Sequence, residues 1–154
     1  KAFCKREKID LVNVSIPDKS DSFKPLIKKA LDDLLSQGIE ALWIPNDNML
    51  LQPDFIQSIW VPAVKKHKIA VVVGVEVLVN PRLNFGTFAV LPDHVSLGSQ
   101  AGGMVYDIRD AGWAINDHRV DPPLAVYKII NLPQAKKTFN ISDDKLKNID
   151  KQLK

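Results

Sequence analysis

A single cysteine, Cys4, stands in a chain of 154 residues. It excludes an internal disulfide framework and any cysteine-based zinc site. No apolar run approaches the 18 or so residues that a membrane-spanning helix needs. The opening Lys1-Ala2-Phe3-Cys4-Lys5-Arg6 lacks the pattern of a secretory leader, and a mature chain and a piece cut from a longer one would look the same. Aromatic residues are scarce, at 7%, and the formal net charge is only +3. The densest basic cluster, Lys136 to Lys154, is broken by Asp143, Asp144 and Asp150. A nucleic-acid binder would show a basic stripe, often with stacking aromatics, and this chain shows neither. Glycine-rich phosphate loops, a GxSxG elbow and an HExxH helix are all missing. His67, His94 and His118 are the three histidines; Asp93-His94 and Asp117-His118 could in principle ligate a metal, but neither pair has a partner at helical i, i+3 or i, i+4 spacing, so no metal site and no cofactor is expected.

What is present is a globular composition, 45% hydrophobic and 25% charged. That is too apolar and too weakly charged for a disordered chain. A chain this long buries roughly 70% of its unfolded surface, so it holds a core without disulfides or metal.

Apolar runs alternate with amphipathic stretches. Ile9 to Ile16 alternates with period two and ends at Pro17, which predicts a strand. Leu26, Ile27, Ala30, Leu31, Leu34 and Leu35 repeat at helical spacing, and Gly38 is a natural stop. Ala41 to Ile44 predicts a short strand ending at Pro45. Pro53 fits the first turn of a helix reaching about His67. Ile69 to Val75 is nearly continuous in apolar residues, as in a strand buried on both faces. Phe85 to Leu91 and Leu124 to Ile130 predict two more strands. Asp93 to Ala111 predicts a helix with Asp93 as its N-cap. Leu132 to Phe139 and Asp143 to Leu153 predict two further helices. Gly98, Gly102 and Gly103 fall inside the long helix, where small residues allow close packing. The order β-α-β-α-β-β-α-β-α-α, with apolar strands, predicts an α/β fold: an open, mostly parallel sheet with helices on both faces, in one lobe over 1–154.

In such sheets ligands bind just past the carboxyl ends of strands. Asn46, Asp47 and Asn48 follow a predicted strand there. Asp47 suits an ammonium group, while an Asx-turn serving only loop geometry uses the same residues. Glu76 ends the next strand, and Asp93 follows the one after. An acid set with no nucleophile, base or metal motif beside it fits recognition of a cation better than catalysis, so no enzyme is expected.

Four blocks then resemble, in order, the substrate-binding proteins of a bacterial ABC-transporter family that includes tryptophan- and tyrosine-type amino-acid binders. They are GIEALWIPNDNMLLQPDF, KIAVVVGVEVLV, FAVLPDHVSLGSQAGGMVYDI and YKIINLPQAKKTFNIS. The resemblance implies a type I periplasmic-binding-protein fold, in which two Rossmann-like α/β lobes close on a ligand. It places Asn46, Asp47 and Asn48 in the family's Thr-Asp-Asn ligand loop, Glu76 at the polar positions after the next strand, and Asp93 at the Asp of Asp-Tyr-Tyr. Asn46 in place of Thr, and His94 and Val95 in place of two Tyr, imply a ligand other than the usual aromatic amino acids, or lost binding.

A complete member is about twice as long, so the resemblance implies a C-terminal-lobe fragment with hinge crossings near Val75 and Asp121. The implied function is an extracytoplasmic solute-binding lobe, periplasmic or tethered to a membrane, for an amino acid or similar small polar solute. An ABC permease would be its partner. The alternative is the sensing module of a membrane receptor with the same fold. Its missing first strand would lie between Ile9–Ile16 and Ala41–Ile44, so self-association through an unpaired strand edge is expected.

Overall fold

The computed structural model of the chain describes residues 2–115 and 120–154. It is an α/β structure with five strands, and it divides into two units, Lys1–Val71 and Val72–Lys154.

In the first unit a short helix, α1 (Ala2–Arg6), is followed by residues 9–17, which form no regular element. The expected strand Ile9–Ile16 is therefore absent. Alternation qualifies a segment for pairing, but a strand exists only where a neighbour supplies hydrogen-bond partners. None does so here among the described residues, and Ile9 and Leu11 remain about half exposed at 52% and 51%.

Helix α2 (Phe23–Ser36) buries Ile27, Ala30 and Leu31, the i, i+3, i+4 stripe that the sequence predicts. It closes on Gly38, whose φ of +73° allows its N–H to reach the Leu35 carbonyl at 3.0 Å. Strand β1 (Ala41–Trp43) buries Leu42 between two exposed neighbours. The Ala70 N–H donates to the Glu40 carbonyl at 3.3 Å and so sets the start of β2 (Ala70–Val73) beside β1.

The helix predicted from Pro53 is continuous but irregular. It runs as α3 (Pro53–Phe55), a π-helical turn (Ile56–Trp60) and α4 (Val61–His67). Pro62 gives the reason. Its ring clashes with the carbonyl four residues back and it lacks an N–H. The turn widens, and the Val61 N–H bonds the Ile56 carbonyl five residues back.

The second unit carries strands in the order β2-β3-β4-β5, with β3 at Phe88–Pro92, β4 at Val126–Asn131 and β5 at Lys151–Leu153. β2 runs parallel to β3 (Val72 opposite Phe88), β3 antiparallel to β4 (Val90 opposite Lys128) and β4 parallel to β5 (Ile130 opposite Gln152). The mostly parallel character holds. Burial on both faces of β2 is only partial, since Val71 and Val73 are buried and Ala70 and Val72 half-buried.

The predicted helix Asp143–Leu153 is corrected to one turn, α7 (Asp143–Leu146), followed by β5. Nothing in Lys-Gln-Leu demands a strand. The pairing is imposed by Asp150, whose Oδ2 accepts from the Lys128 N–H at 2.7 Å and whose own N–H donates to the Lys128 carbonyl at 3.0 Å. Leu146 then packs with Ile130 and Ala135, the latter from α6 (Leu132–Lys137).

Helix α5 (His94–Asp110) has the predicted boundaries but buries no residue. Among the described residues a Cβ placed on Gly98, Gly102 or Gly103 would meet nothing within 4 Å, so none of them packs closely against these glycines as expected. The helix is held instead by polar ties. Gln100 donates to the Pro122 carbonyl and accepts from the Leu124 N–H, both at 3.1 Å.

Candidate functional site

The Asn46-Asp47-Asn48 loop lies in the first unit, directly after β1 and exposed to solvent. Asp47 organises it. Its Oδ1 accepts from the backbone N–H groups of Met49 at 2.6 Å and Leu50 at 3.3 Å, an Asx-turn. Its carbonyl accepts from Leu50 and Leu51 at 3.1 and 3.0 Å. Loop geometry is thus served by one carboxylate oxygen. Oδ2 accepts no hydrogen bond among the described residues and is left for another partner. The far end of the loop is pinned by the indole of buried Trp60, whose Nε1–H donates to the Leu50 carbonyl at 2.8 Å. Sequence reasoning missed Trp60. Only the irregular helix turn beside Pro62 sets its reach, and the apolar pattern of the helix does not mark it.

Beside this loop the first unit forms a half-open cavity of about 430 Å³. α2, β1, the Asp47 loop and residues 14–18 form its walls, and Trp60 closes one side. The volume lies in the range of small-molecule sites, roughly 300–1,000 Å³.

Replacing Trp60 by phenylalanine keeps most of the packing but removes the bond to Leu50. Hydrogen exchange at residues 47–51 should accelerate while the global unfolding midpoint falls only slightly. Equal exchange in both proteins would show that the indole does not hold the loop.

Glu76 and Asp93 lie in the second unit. Glu76 opens a 3₁₀ turn (Glu76–Val79) just after β2, and its Oε1 pairs with Lys151 Nζ at 2.6 Å. That hydrogen bond and charge hold the Lys151 ammonium above its usual pKa. Asp93 caps α5. Oδ1 accepts from the N–H groups of Val95 and Ser96 at 3.0 and 3.3 Å, and Oδ2 accepts from the Ser96 hydroxyl at 2.9 Å. The Ser96 side chain, above all, holds the Asp93 carboxyl below its ordinary value, with help from the backbone N–H groups and His94. Both oxygens are engaged in capping, as the sequence predicts.

A carboxyl whose folded pKa is depressed adds stability above its unfolded value of about 3.9 and loses it as pH falls through the folded value. Acid melts from pH 6 to 2 should therefore show a loss of helicity below about pH 4 that Asp93→Asn reduces. Identical acid profiles would remove this role.

Among the described residues no group of three or more His, Cys, Asp or Glu could hold a metal, and no helix is long and apolar enough to cross a membrane. Asp117 and His118, weighed as metal ligands from the sequence, lie outside the described residues.

No family model matches the chain, and no curated protein does. Solved structures do. An ABC domain in complex with L-Trp from Streptococcus pneumoniae matches at a TM-score of 0.60 and 18% identity, over 99% of this chain and 49% of that one. A substrate-binding protein with adhesive properties from Clostridium difficile, in its ligand-free, open structure, matches at a TM-score of 0.60 and 17% identity, over 99% of this chain and 48% of that one. The chain has the α/β fold of a substrate-binding-protein lobe. It spans about half the length of each of these neighbours.

Proposed function

We propose that the chain is the ligand-binding lobe of an extracytoplasmic solute-binding protein. Its solute is an amino acid or a similar small molecule with a cationic head. The observation that carries this reading is the Asp47 loop. It is a strand-end turn built by one carboxylate oxygen, with the second oxygen unengaged among the described residues and a cavity of about 430 Å³ alongside. The shared fold with two solved substrate-binding structures, one holding L-Trp, supports it. In this reading Asp47 takes the ammonium and Asn46 and Asn48 orient the rest of the solute. Glu76 and Asp93, in the second unit, are engaged in an ion pair and a helix cap, and in this reading they make no direct contact with the solute.

An ABC permease would receive the solute in a transporter, and a membrane receptor would use the same lobe for sensing. Hinge crossings near Val75 and Asp121, an extracytoplasmic location and self-association through the edge of β1 belong to the same proposal. Calorimetric titration of the chain with the common L-amino acids and small polar amines tests it. Saturable binding of at least one is expected, and no heat from any member of the panel contradicts it.

A further inference from the structure

The cavity beside the Asp47 loop is chemically one-sided. Among the described residues its lining contains two carboxylates, Asp18 and Asp47, and no lysine, arginine or histidine. Phe23, Leu34, Trp43 and Trp60 give it an apolar and aromatic body. The Trp60 indole N–H is already committed to the Leu50 carbonyl, so that ring offers only its apolar surface. Trp43 is 70% exposed, a large aromatic held in water at the wall of the cavity.

We infer that the first unit alone forms a site for apolar primary amines, and that this site favours an amine over the matching zwitterionic amino acid. The inference rests on the solute-binding reading and narrows its ligand class. An ammonium group placed at Asp47 Oδ2 gains a charge-assisted hydrogen bond without disturbing the Asx-turn, which uses Oδ1. The aromatic and apolar side chains of the lining add contact along the body of the ligand. A carboxylate on the same ligand finds no cationic side chain in the lining and meets a second carboxylate, Asp18. Desolvating that unpaired anion opposes binding. The volume admits a ring and a short alkylamine with room left for water.

Three probes separate the parts: phenethylamine, L-phenylalanine and 3-phenylpropionate. They share the ring and differ only in head group. Each is titrated by calorimetry into the chain at low ionic strength. Phenethylamine is expected to bind at least tenfold tighter than phenylalanine, and phenylpropionate not at all. Asp47→Asn keeps the Oδ1 acceptor of the turn and removes the charge, and should cost the amine tenfold or more. Leu34→Trp fills the cavity from α2 without touching the loop and should abolish binding. Circular dichroism and melting confirm that both variants fold.

Phenylalanine binding as tightly as the amine, in an Asp47-dependent way, overturns the amine preference and leaves the solute-binding reading intact. Amine binding that ignores both substitutions overturns the site. Absence of binding by all three probes also overturns the inference, and the amino-acid panel then decides the broader reading separately.

Discussion

Asp47→Ala is expected to reduce solute affinity by about 2–5 kcal/mol, the range for losing one partner of a buried, hydrogen-bonded charge pair. That corresponds to roughly 30- to several-thousand-fold in dissociation constant. The side chain is exposed in the free protein, so the low end applies unless the solute itself shields the pair from water. Alanine removes two things at once, the charge and the Oδ1 bonds to Met49 and Leu50. The Asp47→Asn substitution retains the turn, so its own loss of affinity reads the ionic part and the difference between the two variants reads the turn. Calorimetry with whichever solute binds best reads both. An unchanged dissociation constant in Asp47→Ala would remove Asp47 from the site.

Gly86→Ala should destabilise the second unit by about 3 kcal/mol, at the upper end of overpacking costs. An added Cβ would lie 2.6 Å from the Leu78 carbonyl oxygen, 3.0 Å from its carbon and 3.2 Å from Val73 Cγ2. Two of these are backbone atoms, and the Gly86 N–H already bonds that same oxygen at 2.8 Å. The neighbouring loop cannot shift freely. Thr87 Oγ1 donates to Gln134 Oε1 at 2.8 Å, and Gln134 Nε2 donates to Asn84 Oδ1 at 3.2 Å. Buried Asn131 reaches the Gly86 carbonyl at 3.4 Å through its amide, while its Oδ1 caps α6 by accepting from the Gln134 N–H. Urea melts of the two proteins give the difference. A change below about 0.5 kcal/mol, the size of an ordinary surface substitution, would show that the 3₁₀ turn yields.

The elements most legible in the sequence are those whose signals are local. The α2 stripe and its Gly38 stop, the Asp93 cap and the α5 boundaries follow from residues a few positions apart. Ile9–Ile16 and Lys151–Leu153 fail in opposite directions for one reason. A strand is a property of a pair, so good alternation without a partner stays irregular, and a polar tripeptide held by Asp150 becomes β. At the site, the short polar residues after β1 mark the loop, because turn chemistry is written in Asn and Asp. Trp60 is not marked, because its role depends on a π-helical turn forced by Pro62. The cavity is equally invisible, since its walls come from segments as far apart as Val14 and Trp60.

Amide chemical shifts recorded while the chain is titrated with a binding amine or amino acid test the Asp47 loop most directly. Saturable shifts at residues 46–50 and at the Trp60 indole N–H, with one common dissociation constant, are the predicted result. A solute that binds by calorimetry yet leaves those signals in place, or perturbs only residues of Val72–Lys154, would contradict the loop as the binding element.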